Sequence, residues 1–498
     1  MNILHFLVII PVLTVAGITF ANNMKAVRWA AAIGMFFQLI VSVAILFLYM
    51  AIRKSGVTDE MVLISDYQWF KTINIHYTIG VDGISVAMIL LTSIVVFAGI
   101  FASWEVKYLQ KEFFISLILL ATGVFGFFIT IDLFSLFLYY EIAVIPMYLL
   151  IGIWGTGPKE YSAMKLTLML MGGSALLIVA LFGIYFQLGD VHTFNLLELA
   201  KHKMSISAQR FFFPFAFIGF GVLGALFPLH TWSPDGHASA PTAVSMLHAG
   251  VLMKLGGFGI FRVAMFLMPD AAQEQAWIFI ILTSISVIYG AFGAIWQKDL
   301  KYINAYSSVS HCGLVIFGLL MMNKTAMDGA ILQMISHGLM TALFFALIGM
   351  IYSRTHTRMI NEMGGLMKVI PFLAVVYMIA GFASLGLPGL SGFVAEMTIF
   401  VGAFKHGDIF HRVATIMAIS AIVVTAVYIL RVVGILLLGP IKNDHFLELK
   451  DATWYERLST LTLLIAVAGI GLYPNWLFHI IYDSVGPVAD KLAAVVVM

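Results

Sequence analysis

A chain of 498 residues that is 61% hydrophobic and 10% charged, with a mean hydropathy of +1.01, cannot hide its apolar surface inside a water-soluble globule. It reads as an integral membrane protein. Its net charge of +2 offers no basic face for nucleic acid, and the single Cys312 excludes an intrachain disulfide, a cysteine-built zinc cluster and a cysteine-held iron–sulfur centre.

The N-terminal run MNILHFLVIIPVLTVAGITF has no cationic segment before it and no A-x-A site after it, so it reads as a first transmembrane helix and not as a signal peptide. A spanning length of ~20 residues then predicts about fourteen crossings. They begin near Leu4, Ala26, Ile75, Phe113, Leu133, Met164, Phe211, Ala240, Trp277, Tyr302, Met327, Ile370, Phe410 and Glu456. An even count leaves both ends on one side. Connections are short except Arg53–Asn74, Asp190–Arg210 and Pro440–Glu456, and none holds a soluble domain. The excess of Lys and Arg in the loops favours, narrowly, both termini outside the cytoplasm.

Two segments are expected to break. Pro371 to Phe404 as one helix would be ~50 Å long against a ~30 Å hydrocarbon core, and SLGLPGLSG at Ser384–Gly392 supplies the break. FPLHTWSPDGHASAP at Phe227–Pro241 reads the same way. Irregular backbone at membrane depth survives only where it is buried in protein or lines a wet cavity, and paired interruptions in two halves of a chain mark a repeat-built transporter.

Ionisable residues inside the predicted spans point to function, because each charge at a helix centre costs ~2.5–3.5 kcal/mol on insertion scales. Glu141 lies about 12 Å into the fifth helix by the helical rise, and Lys254 is near the middle of the eighth. His311 is in the tenth, His337 in the eleventh, and Glu396 follows the break of the twelfth. Taken singly, Glu141 also reads as a neutral structural acid, and each histidine as a helix-to-helix hydrogen bond. Together they supply acid, base and imidazole groups on successive helices, whose pKa values burial and neighbouring charges can shift; a proton path requires this. Metal binding has little support: there are no clustered carboxylates and no His pairs at i, i+4, and His230 and His237 stand seven apart across Pro234. Lys298 and Lys301 sit in a short connection, where they either line a funnel or follow the positive-inside bias.

The stretches YYEIAVIPMYLLIGIWG, FPLHTWSPDGHASAPTAVSMLHAGVLMKLGGFGIFR, KDLKYINAYSSVSHCGLVIFG, AILQMISHGLM and GLPGLSGFVAEM closely resemble the antiporter-like membrane subunits of respiratory complex I. Glu396, where the L and N branches and the related cation/proton antiporter subunits carry lysine, aligns the chain with the branch called subunit M or chain 4. The resemblance implies an all-α polytopic fold of about fourteen helices, with two inverted five-helix repeats and broken helices 7 and 12. The divisions would be 1–112 for helices 1–3, 113–267 for the first repeat, 268–440 for the second, and 441–498 for a loop and helix 14. It also implies proton transfer through Glu141, Lys254, His311, His337 and Glu396, with His230 in the Pro-Leu-His motif. NADH, flavin, iron–sulfur clusters and quinone would be bound by partner subunits, and neither a cofactor nor a metal by this chain. The partners would be L-like and N-like subunits and small membrane subunits, in the inner (plasma) membrane. One position departs from the family pattern: Leu223 stands where a seventh-helix lysine is expected. Lys165 in the sixth helix is the candidate substitute as partner of Glu141, with a snorkelling structural role as the alternative. A subunit of a multi-chain cation/proton antiporter is the second functional reading.

Overall fold

The computed structural model describes residues 2–187 and 192–496; Asp190 and Val191, which open the predicted Asp190–Arg210 connection, lie outside them. Among the described residues, thirteen helices are long and apolar enough to cross a membrane. They are α1 (Phe6–Phe20), α2 (Met24–Lys54), α3 (Gly83–Ala102), α4 (Gln110–Ile129), α5 (Leu133–Trp154), α6 (Lys159–Gln187), α7 (Ile206–Leu223), α8 (Thr242–Met265), α9 (Pro269–Trp296), α10 (Leu300–Leu320), α11 (Lys324–Thr355), α13 (Ile409–Leu437) and α14 (Trp454–Leu472). Two shorter apolar helices, Pro371–Ser384 and Ser391–Ala403, lie end to end as the two halves of α12 and complete a fourteenth crossing.

Polar residues between the apolar runs set where the helices begin. Asn23, Asp82, Asp132, Asp299, Asn323 and Asp408 each cap a helix by accepting a backbone N–H from its first turn, an interaction worth ~1 kcal/mol. Thr453 and Glu456 form a reciprocal capping box on α14.

Two elements differ from the sequence expectation. The third helix begins at Gly83, not near Ile75, because Val62–Phe70 (β1) and Ile75–Val81 (β2) pair as an antiparallel hairpin with Tyr67 opposite Tyr77. INIHYTIGV alternates with period two, and Asp82 then starts the helix. A further helix, α15 (Asn475–Val496), follows α14. It buries Leu477, Ile481, Val485 and Leu492 along one face, while Ser484 Oγ accepts the Gly83 N–H at 2.8 Å and Lys324 sits over the Tyr482 ring. By helix parity, the hairpin and α15 share one face of the bundle.

Packing repeats along the chain. α4 lies on α5, α5 on α6 and α6 on α7; then α9 lies on α10, α10 on α11 and α11 on the second half of α12. Two buried ion pairs lock distant elements together. Arg262 of α8 pairs with Asp82, and Arg354 of α11 grips both carboxylate oxygens of Glu456, at 2.8 and 2.6 Å. Removing one partner of such a pair costs ~3–5 kcal/mol, because the other is left buried and unpaired.

Candidate functional site

Both expected breaks are present, and each lies against a candidate residue. After α7 the chain turns through Gly224 and Ala225, the latter with φ of +53°, before the short helix Trp232–Ser239. Trp232 Nε1 donates to the carbonyl of Val222 at 3.0 Å, which also accepts the Ala225 N–H, so the indole ties the short helix to the end of α7. α8 packs directly on this break: a Cβ at Gly256 would meet Phe220 O at 2.6 Å. In α12 the break runs through Gly386 at φ +70°, and a Cβ there would lie 3.0 Å from Glu396 Oε2. Glycine is therefore required by space at Gly256, against backbone atoms, and by its positive φ at Gly386.

Lys254 sits between two π-helical turns of α8, His248–Leu252 and Ile260–Met265; such departures from the α-helix often accompany functional sites. It is 2% exposed. Its ammonium donates to Ala249 O and lies 2.9 Å from His337 Nδ1 on α11. The His337 and His311 rings are 5.1 Å apart between centroids. On α10, His311 Nδ1 lies 3.4 Å from Glu396 Oε1 and 3.2 Å from Gln333 Nε2, while its Nε2 is 3.5 Å from Ser384 Oγ. Four of the predicted residues, Lys254, His337, His311 and Glu396, thus form one buried line across α8, α11, α10 and α12.

The His311 Nδ1 position has two arrangements available. A neutral ring accepts from the Gln333 amide there, whereas a protonated ring donates from the same atom to Glu396.

The first half is assembled differently. Leu223 is fully buried at the end of α7, and Lys165 pairs with Asp235 of the short helix at 2.7 Å, not with Glu141. The expected Glu141–Lys165 pair is therefore corrected. The Asp235 carboxylate, held also by Tyr302 OH at 3.1 Å, captures the lysine near the end of α6, where both partners are about a quarter exposed. Glu141 keeps Oε1 buried without a protein hydrogen-bond partner, near Ser174 of α6. His230 is buried beside the first break, its ring 5.6 Å from Phe227 and 4.9 Å from Tyr289, and does not join the Lys254 line.

Three further buried residues belong to the same interior, with Arg358 at its edge. Lys301 is not a loop residue: it lies in the first turn of α10, 4% exposed, and donates to Ala240 O at 2.5 Å. Arg358 donates to the nearby Ala238 O at 2.7 Å and pairs with Asp299 at 3.1 Å. His237 and His248, fully buried, lie with their ring centroids 4.1 Å apart and the rings tilted by 36°, with His237 Nε2 3.4 Å from Met253 Sδ, directly before Lys254. Their signal in the sequence is an imidazole on each side of Ala240–Pro241, in a segment whose other polar side chains are only the hydroxyls of Ser239, Thr242 and Ser245.

A family model described as "NADH:quinone oxidoreductase/Mrp antiporter, TM" matches residues 130–425, more than half of the chain. The chain belongs to this family. The matched span runs from α5 into α13 and contains all seven candidate residues. The "NADH-quinone oxidoreductase subunit M" of Rickettsia prowazekii is 34% identical over 97% of this chain and 97% of its own length. A "NAD(P)H-quinone oxidoreductase chain 4" of Microcystis aeruginosa is 35% identical over 95% of this chain and 89% of its own. Among solved structures, a chain of respiratory complex I from Thermus thermophilus superposes with a TM-score of 0.87 at 25% identity over 99% of both chains. A chain of the Mrp complex from Dietzia sp. reaches 0.84 at 18% identity over 99% of both, and shares the fold.

Proposed function

We propose that this chain is a proton-translocating membrane subunit of an NADH:quinone oxidoreductase, working through its buried Glu, Lys and His side chains while electron transfer runs in partner subunits. The observation that carries this reading is the buried succession Lys254, His337, His311, Glu396, in which the first and last pairs are in polar contact and the two imidazoles lie ring beside ring. A proton leaves Lys254 Nζ for His337 Nδ1, crosses between the two imidazoles, and reaches Glu396 when His311 Nδ1 turns from Gln333 to the carboxylate. The α12 break keeps backbone close to Glu396, the last group in the line.

Lys301, His237 and His248 extend the line on its other side toward the cytoplasmic ends of α8 and α10, and Glu141 serves the first half. Lys165 acts there with Asp235, and His230 beside the first break belongs to the same half. The repeated packing order supports reading 113–267 and 268–440 as two related five-helix units. Fourteen crossings and the Lys/Arg distribution support both termini on the non-cytoplasmic side of the inner membrane. NADH, flavin, iron–sulfur clusters and quinone belong to the partner subunits, with L-like and N-like chains as neighbours in the bilayer. Relatives at 34–35% identity carry oxidoreductase names, and this favours the redox-linked reading over the independent cation/proton antiporter.

The test is Glu396→Gln, which keeps the size of the side chain and removes its titration. NADH-driven proton pumping by the assembled complex in sealed vesicles should fall at least tenfold. Undiminished pumping, or sodium–proton exchange by the chain without redox partners, would contradict the proposal.

A further inference from the structure

The connection between α12 and α13 and the first turn of α13 gather three metal-ligating side chains within six residues: His406, Asp408 and His411. One ligating atom from each lies within 4.8 Å of the others. Capping explains part of this, since Asp408 accepts the His411 backbone N–H at 3.1 Å and its carboxylate meets His411 Nδ1 at 2.8 Å. It does not explain His406, which lies outside α13 yet stacks its ring on that of His411, 4.2 Å between centroids and 14° from parallel.

His406 is held in place from a third element. Its Nε2 lies 2.6 Å from the carbonyl of Met321, at the end of α10, and 3.3 Å from Asn323 Nδ2. A carbonyl can only accept, so Nε2 carries the proton and Nδ1 keeps its lone pair. At His411 the Asp408 carboxylate faces Nδ1 at 2.8 Å, so an incoming cation replaces the proton between them and meets Nδ1 and a carboxylate oxygen together. The Met321 carbonyl on Nε2 gives His406 the outer-shell support usual for a metal-bound histidine. All three residues are half-buried or exposed at the bundle surface, on the face that carries the β1–β2 hairpin, so an ion can reach them from solution.

We propose that His406, Asp408 and His411 form a binding site for a divalent d-block ion of the zinc class. Two imidazole nitrogens and one carboxylate favour zinc over magnesium or calcium, which prefer all-oxygen sites, and leave a position for water. An ion there ties the end of the α12 half that carries Glu396 to α13 and, through His406 and Met321, to the end of α10 that carries His311. That consequence rests on the proton-path reading; the site itself does not.

The experiment is equilibrium binding of radiolabelled zinc to the solubilised complex, with millimolar magnesium present, for the wild type, His406→Ala, His411→Ala and Asp408→Asn. The two His variants should each lose one equivalent of bound zinc. Asp408→Asn is the decisive variant, because Asn caps a helix as well as Asp does yet removes the charged ligand, so zinc affinity should fall at least tenfold. Equal stoichiometry and affinity in all four proteins, or displacement of the zinc by magnesium, would overturn the site and leave a helix cap with a stacked ring. Zinc binding that follows the prediction while pumping ignores zinc would fault the proton-path reading and not the site.

Discussion

Gly338→Ala tests the line without touching an ionisable group. Gly338 follows His337 on α11, where that helix crosses α8, and an added Cβ would lie 2.5 Å from the carbonyl oxygen of Gly250 and 2.8 Å from Leu91 Cδ2. Leu91 can turn aside, but a backbone oxygen cannot. Ordinary contact begins at 3.4 Å, so the two helices must separate by at least about 0.9 Å, an overpacking that costs ~1–3 kcal/mol. The Lys254–His337 contact, now 2.9 Å, would stretch to about 3.8 Å, beyond hydrogen-bonding range. Misplacements near 1 Å can lower transfer rates ~100-fold. Pumping by the assembled complex, read as dye quenching in sealed vesicles and normalised to assembled protein, should fall at least tenfold. Gly172→Ala on α6, where a Cβ meets nothing within 4 Å, is the control and should pump normally. An assembled Gly338→Ala complex that pumps like the wild type would refute the hydrogen-bonded handover between α8 and α11.

Lys165 and Asp235 should behave as a unit: a double-mutant cycle of Lys165→Met and Asp235→Asn should give ~1 kcal/mol of coupling, the value for a partly exposed pair. Stronger coupling of Lys165 to Glu141 than to Asp235 would contradict the observed pairing. Asp132, between α4 and α5, is pushed up from 3.8 to about 6 by burial, against the opposing pull of the Ser135 N–H. An acid whose folded value is raised destabilises the fold as pH climbs through that interval, by ~3 kcal/mol once fully ionised. Asp132→Asn keeps the cap and should raise the unfolding midpoint at pH 7.5 while giving no gain below about pH 4; a gain independent of pH would show that ionisation is not the cause.

Much of this architecture was legible in the sequence because hydrocarbon leaves few choices. Apolar runs of spanning length gave the crossings, and Gly and Pro in SLGLPGLSG gave a break that no uninterrupted helix could avoid. Lys254, His311, His337 and Glu396 stood out because a charge or an imidazole amid apolar residues has few innocent explanations. The hairpin was missed because a twenty-residue window averages over the period-two alternation of Ile75–Val81 and merges it with α3. Lys301 was hidden by its neighbour Lys298: two lysines beside a short connection look like a topogenic signal, and only the fold shows Lys301 turned inward onto Ala240 O. The partner of Lys165 was misjudged for a related reason. Asp235 lies 70 residues away in a segment read as irregular, and nothing local announces that the short helix Trp232–Ser239 returns it to α6.

The central claim is that Lys254 must gain and lose a proton for the pump to run. Its most direct test is proton pumping by the assembled Lys254→Ala complex in sealed vesicles, measured beside NADH-to-quinone electron transfer. The account predicts normal assembly, no detectable pumping through this chain and slowed electron transfer; pumping at the wild-type level would contradict it.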